Sequence, residues 1–257
     1  MKSDLSGKVS LVTGAARGIG KAIADRLAAN GSEVYYTDRD GDEVRAAAGN
    51  RRWLRLDVTS PDDLAVARQR IETEVGRLDV LVNNAGINTL AHRVPFDQFP
   101  RAEWDRIVSV DLTAVYEVSR AFAPFMRRQR SGRIINIASI VGLVPLRLQC
   151  AFVAAKAGIV NLTKSMALEM GSDGILVNAI APGSTLTDGT RKLFYGDDGL
   201  FRESAQKMLD HVPLGRPAEV DEIAVAAIFL ADPENTYMTG HVLVVDGGWI
   251  AGYAREF

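Results

Sequence analysis

Apolar positions along the chain follow two alternating periods. Short runs that are mostly apolar or β-branched, at residues 9–13, 33–37, 53–56, 78–82, 133–138, 176–180 and 241–245, read as buried strands. Between them lie stretches with apolar residues at helical spacing. One covers 17–30 and closes on Asn30-Gly31, a helix stop signal. Others cover 103–130, 151–170 and 218–230. Thr59-Ser60-Pro61-Asp62-Asp63 reads as a helix start, with a capping hydroxyl, a first-turn proline and acids facing the helix dipole. Pro124 is expected to bend or weaken the long helix. Strands repeatedly separated by helices predict a doubly wound α/β fold. About seven parallel strands carry helices on both faces, because parallel connections must cross over. The whole chain, 1–257, reads as a single domain, and ligands are expected at the carboxyl ends of its strands.

Composition narrows the partners. With 30 Lys+Arg against 32 Asp+Glu the net charge is −2, which offers nucleic acid or an anionic membrane no electrostatic attraction. The basic run Arg127-Arg128-Gln129-Arg130 reads as dipole compensation at a helix end. The longest apolar stretch, 223–231, is half a membrane span and reads as a buried helix. Met1 to Gly7 lacks the apolar core of a secretory signal. A single cysteine, Cys150, excludes an internal disulfide and fits a reducing compartment, so a cytoplasmic location is expected. His92, His211 and His241 lack ligand spacing, and no metal site is expected.

The first strand runs into Thr13-Gly14-Ala15-Ala16-Arg17-Gly18-Ile19-Gly20 and then a helix. Glycines 14, 18 and 20 permit a tight turn, close approach of a diphosphate, and helix–strand packing. No Gly-Lys-Ser/Thr ending follows, which disfavours a nucleoside-triphosphate loop. Asp38 ends the second strand, where a carboxylate accepts hydrogen bonds from ribose hydroxyls and repels a 2′-phosphate. Arg17 and Arg39 pull toward a 2′-phosphate, but the carboxylate weighs more, so NAD is expected over NADP.

With these residues in place, the chain resembles the short-chain dehydrogenase/reductase family over essentially its whole length, which implies a Rossmann-like fold. Thr13 to Gly20 matches the T-G-x-x-x-G-x-G turn, and Asn83-Asn84-Ala85-Gly86 matches the N-N-A-G element, which implies Asn83 at the nicotinamide end. Asp57-Val58 resembles the pair that holds the adenine ring. Pro182-Gly183 and Thr187 match the stretch that contacts the nicotinamide carboxamide. The resemblance implies Ser139 as the substrate-polarising hydroxyl and Lys156 as the group that holds the nicotinamide ribose and relays the proton. It further implies an alcohol/ketone oxidoreductase acting on a small hydroxyl or carbonyl compound, with a sugar, polyol or sugar acid as the expected class. A homotetramer is implied in the same way.

Two positions depart from the family. Phe152 stands where the acid–base tyrosine belongs, and Asp111 stands in place of the asparagine. A phenyl ring has no O–H to give or take, a loss of about 10²- to 10⁴-fold in rate unless another group serves. Three accounts remain open. Phe152 is a deliberate change, or a natural divergence with another proton carrier, or the mark of a non-catalytic dinucleotide-binding or regulatory protein. Asp111 can replace asparagine as a helix-bending acceptor and order water toward Lys156. Tyr195 is a candidate for the missing donor beside its reading as a packing or substrate-lining residue, and Arg147 and Arg191 are candidates for binding an anionic substrate beside their reading as solvated side chains. Cys150 reads as a buried or pocket-lining thiol. The 186–213 segment reads as a cover over the substrate, and the aromatic tail from Gly247 to Phe257 is expected to pack on the fold or a neighbouring subunit.

Overall fold

Burial on both sides produces the opening strand. β1 (Val9–Thr13) is buried at every position, and its side chains enter opposite layers, Leu11 toward one face and Val12 toward the other. The computed structural model describes residues 1–88, 93–196 and 201–252. After β1 come α1 (Gly18–Ala29), β2 (Glu33–Asp38), α2 (Gly41–Ala48), β3 (Arg52–Arg55), α3 (Pro61–Glu74) and β4 (Val80–Asn83). The middle of the chain forms α4 (Arg101–Val108), α5 (Ala114–Gln129), β5 (Gly132–Ile137), α6 (Cys150–Met170) and β6 (Ile175–Pro182). Then follow β7 (Thr185–Leu186), α7 (Asp188–Phe194), α8 (Glu203–Leu209), β8 (Ala218–Glu219), α9 (Val220–Ala231) and β9 (Val242–Val245).

Seven strands form one parallel sheet in the order β3-β2-β1-β4-β5-β6-β9. The chain winds outward from β1 to β3 and then restarts on the other side at β4. That reversal opens a crevice at the carboxyl ends of β1 and β4. On one face Ile23 and Leu27 of α1 and Ile223 and Ile228 of α9 pack over Val12, Val82 and Ile135. On the other, Leu64 and Ile71 of α3 and Phe122 and Phe125 of α5 cover Leu11, Leu81 and Ile134. The apolar 223–231 stretch is a buried helix, and no helix among the described residues is long and apolar enough to cross a membrane.

The expected helix start at Thr59–Asp63 is present: Ser60 caps α3, accepting the Asp63 amide at 3.2 Å, with Pro61 in the first turn. Four local features differ from the sequence reading. Helix α2 was not foreseen, although Asp40 caps it by accepting the Glu43 amide at 2.9 Å. The 103–130 segment is two helices, α4 and α5, joined by a π-helical turn at Ser109–Thr113. Pro124, expected to mark the weak point, sits inside an unbroken α5, because the fully buried Phe122 and Phe125 hold that stretch against the sheet. Finally, Ala218 and Glu219 precede α9 as a strand paired with Thr185 and Leu186, so the helix starts later than its apolar pattern suggests.

Candidate active site

The glycine turn is built from the backbone outward. Gly14 and Gly18 have φ of 65° and 58°, a left-handed conformation that favours glycine. Thr13 Oγ1 accepts the amides of Asn84 and Ala85, each at 3.0 Å, and Asn84 Nδ2 donates to the carbonyls of Thr13 at 2.9 Å and Gly14 at 3.1 Å. Asn84 thereby staples β4 to the turn after β1. A Cβ at Gly20 would overlap the Gly14 carbonyl and the Asn84 carboxamide. Gly20 therefore sits behind the turn, outside the cavity wall, and its task is to let α1 approach. No side chain caps α1 and its first turn holds no acid, so its positive end is left for an anion.

A cavity of about 950 Å³ runs along the carboxyl edge of the sheet. Gly14, Arg17, Gly18 and Ile19 form its floor at the turn, and Asn84, Ala85 and Gly86 continue the wall beyond β4. Asp38 lines the cavity at the end of β2, its carboxylate accepting the amides of Ala16 at 3.4 Å and Asp40 at 3.3 Å. The Arg17 guanidinium is drawn toward Glu43, 3.4 Å away. Asp57 and Val58 line the neighbouring wall, and bonds from the Thr59 hydroxyl and amide hold the Asp57 carboxyl below the usual carboxylate range. Pro182 and Gly183 close the far side after β6. Thr187 lies over Gly18, and its hydroxyl is engaged in capping α7 through Thr190.

Ser139, Phe152, Lys156 and Asp111 converge on the same cavity from three different elements. Ser139 follows β5, and its Oγ accepts the Val141 amide at 3.3 Å. Phe152 and Lys156 stand one turn apart on α6, with Nζ 5.5 Å from the ring centroid. Lys156 Nζ donates to the Ile137 carbonyl at 3.1 Å and lies 3.5 Å from Asp111 Oδ2. Asp111 reaches it from the π-helical turn, whose extra residue re-aims the side chain. Asp111 is fully buried, and burial pushes its carboxyl above the usual range against the opposing pull of Lys156 and the Ile87 amide.

Several sequence candidates lie elsewhere. Asn83, expected to frame the nicotinamide end, is buried beneath the cavity, where its amide donates to Ser119 and Asn136. Tyr195, considered as a proton donor, does not line the cavity; its ring meets Phe201 edge-on at 5.4 Å and lies under Arg191. Arg147 and Arg191 do not line the cavity, whereas Arg93 and Arg106 do. No periodicity marks those two, because a loop and a helix rim bring them in. Cys150 lines a small separate hollow with Leu148, Val153 and Phe96. Trp249 packs near Phe194 and Ile140 and lines the cavity, so the start of the tail folds back as expected; residues 253–257 and His92 lie outside the described residues.

Known proteins are similar to this chain in sequence and fold. Residues 14–250 match a family described as enoyl-(acyl carrier protein) reductase. The 3-oxoacyl-(acyl-carrier-protein) reductase FabG of Vibrio harveyi is 41% identical over 251 residues, covering 95% of this chain and 98% of that protein. A gluconate 5-dehydrogenase from Burkholderia cenocepacia, solved with NADP and tartrate, superposes with a TM-score of 0.89 at 32% identity, covering 97% and 98% of the two chains. The ligand-free aldohexose dehydrogenase of Thermoplasma acidophilum gives 0.90 at 32% identity over 100% of this chain and 99% of that one.

Proposed function

The chain belongs to the short-chain dehydrogenase/reductase family and is an alcohol/ketone oxidoreductase, and from that premise we propose that it uses NAD(H) on a sugar, polyol or sugar acid. The observation that carries this reading is that the glycine turn and the Ser139–Lys156 pair open onto one continuous cavity.

The residues present fit a nicotinamide dinucleotide. Side chains at Gly14 and Gly20 would fill the turn, and the uncapped end of α1 suits a diphosphate. Asp38 would hold the adenosine ribose and Asp57-Val58 the adenine, with Arg17, Gly18 and Ile19 beside the diphosphate. Asn84, Ala85, Gly86, Pro182, Gly183 and Thr187 would frame the nicotinamide, and Lys156 its ribose. Bound there, the nucleotide supplies or accepts the hydride. Ser139 donates its O–H to the substrate oxygen as negative charge grows on it. Phe152 packs beside that oxygen without a proton to offer. We read 186–213 as the substrate cover, since Phe194, Ala205 and Met208 reach the cavity from it. A cytoplasmic homotetramer remains our expectation from the sequence and the family likeness.

Asp38 supports NAD over NADP, although the gluconate 5-dehydrogenase relative was solved with NADP. Its carboxylate is fixed by two backbone amides at the cavity edge, where it would repel a 2′-phosphate by like charge. Calorimetric titration is expected to give NAD at least about tenfold tighter binding than NADP, and Asp38→Ala to narrow that ratio to about threefold. An unchanged ratio would defeat the assignment. Assays over polyols, aldoses and hydroxy acids are expected to show turnover; tight nucleotide binding with no turnover would favour the regulatory alternative raised by Phe152.

A further inference from the structure

Most polar side chains on the cavity wall are already engaged within the protein. Ser139 Oγ accepts the Val141 amide, Thr187 caps α7, and Lys156 is shared between the Ile137 carbonyl and Asp111. Arg106 is held by Glu103, and Asn84 staples β4 to the glycine turn. Gln149 differs. Only 5% exposed, it lines the cavity at the residue before α6. Its carboxamide does not cap that helix and has no hydrogen-bond partner among the described residues. Both of its polar atoms stay open to a ligand, unlike the sealed Oδ1 of Asn88 on the same wall. A carboxamide offers two donors and two acceptor sites, and burying it unpaired is destabilising, which an apolar side chain of equal length would avoid. Packing alone therefore gives no reason for an amide at 149.

Position says which part of a ligand it meets. Gln149, Phe152 and Lys156 follow at intervals of three and four residues, the spacing of one helix face, and all three line the cavity. Lys156 stands at the end assigned to the nicotinamide ribose, and Phe152 beside the reacting oxygen. Gln149 lies one turn further toward the amino end of α6, about 4.5 Å along the axis from Phe152. We infer that Gln149 is a specificity residue, whose carboxamide grips a second substrate oxygen one or two carbons from the reacting carbon. The inference rests on the function proposed above and narrows it: the substrate is a polyoxygenated compound, not a simple secondary alcohol. A hydroxyl there can donate to Oε1 and accept from Nε2. Leu146, Phe152 and Trp249 line the same cavity and limit the water that could replace that hydroxyl. A substrate without it desolvates the amide and leaves it unpaired, and the site discriminates by that penalty.

Butan-2-ol, butane-2,3-diol and butane-1,3-diol differ only in the presence and place of a second hydroxyl. With NAD, kcat/KM for the better diol is expected to exceed that for butan-2-ol by about 10²-fold. Gln149→Met keeps the side-chain length and removes both hydrogen-bonding atoms. It is expected to bring that ratio below about fivefold, chiefly through a higher KM for the diol. The same ratio and the same collapse are expected in the Phe152→Tyr background, where a phenol supplies the proton. Should neither chain turn these alcohols over, saturation-transfer NMR on the NAD-loaded protein reads the comparison as affinity. The better diol is then expected to bind at least about tenfold tighter than butan-2-ol in the parent, and within about threefold of it in Gln149→Met. Urea unfolding separates binding from structure: an amide without protein partners predicts a midpoint for Gln149→Met equal to or above the parent's. A parent ratio below tenfold in turnover and affinity, a ratio that survives Gln149→Met, or a lowered midpoint overturns the inference alone. Failure of the parent to bind either nucleotide overturns it together with the function beneath it.

Discussion

Lys156→Met is expected to lower kcat by about 10³-fold and nucleotide affinity by about tenfold. Methionine matches the length of the lysine stem and fills its buried track on α6, so packing is largely kept. What disappears is the ammonium, which donates to the Ile137 carbonyl and faces Asp111 inside the cavity wall. Removing one member of a buried ion pair commonly destabilises by about 3–5 kcal/mol, through the charge left behind. Here the loss is expected to be smaller, because Asp111 already holds its proton more firmly than an ordinary carboxylate and can take one up. Steady-state kinetics together with calorimetry separate the two effects. A kcat within tenfold of the parent would remove Lys156 from the reaction.

Gly20→Ala should weaken nucleotide binding by about 10²-fold or more without touching a ligand directly. The added methyl would overlap the Gly14 carbonyl and the Asn84 carboxamide, which are already bonded to each other. Neither group can swing aside, since Asn84 also holds the Thr13 carbonyl and so joins β4 to the turn. α1 must instead back away from the turn, taking the uncapped amides out of reach of a diphosphate. Overpacking of this kind destabilises a fold by roughly 1–3 kcal/mol, so the variant should remain folded at room temperature. Titration of the folded variant gives the answer, and affinity within threefold of the parent would contradict the proposed seat of the diphosphate.

Much of the site is legible in the residues because it is built from local signals. The glycine turn announces itself through three glycines between a strand and a helix, and Asp38 follows at the end of the next strand. Ser139, Phe152 and Lys156 are recognisable by order and spacing, and all three line the cavity. The failures concern direction. Asn83 and Asn84 are neighbours, yet strand alternation turns the first into a buried polar cluster and leaves the second beside the glycine turn. Arg147 and Arg191 sit near the pocket in sequence, but Arg93 and Arg106 are the arginines that reach it. The proline in α5 carried a strong local warning that two buried phenylalanines override.

The periodicity of apolar residues by itself decided the layered parallel sheet, because each run had one way to bury itself, and the glycines decided where a diphosphate can approach. The meeting of Asp111 with Lys156 was decided only by the tertiary structure. An α-helix turns by about 100° per residue, so the added residue of the π-helical turn at Ser109–Thr113 swings every later side chain to a new bearing. No pattern of polar and apolar positions announces that turn, and packing of α4 and α5 around α6 sets it. The charge that faces the reacting end of the cavity is therefore a property of how helices pack, not of any motif along the chain.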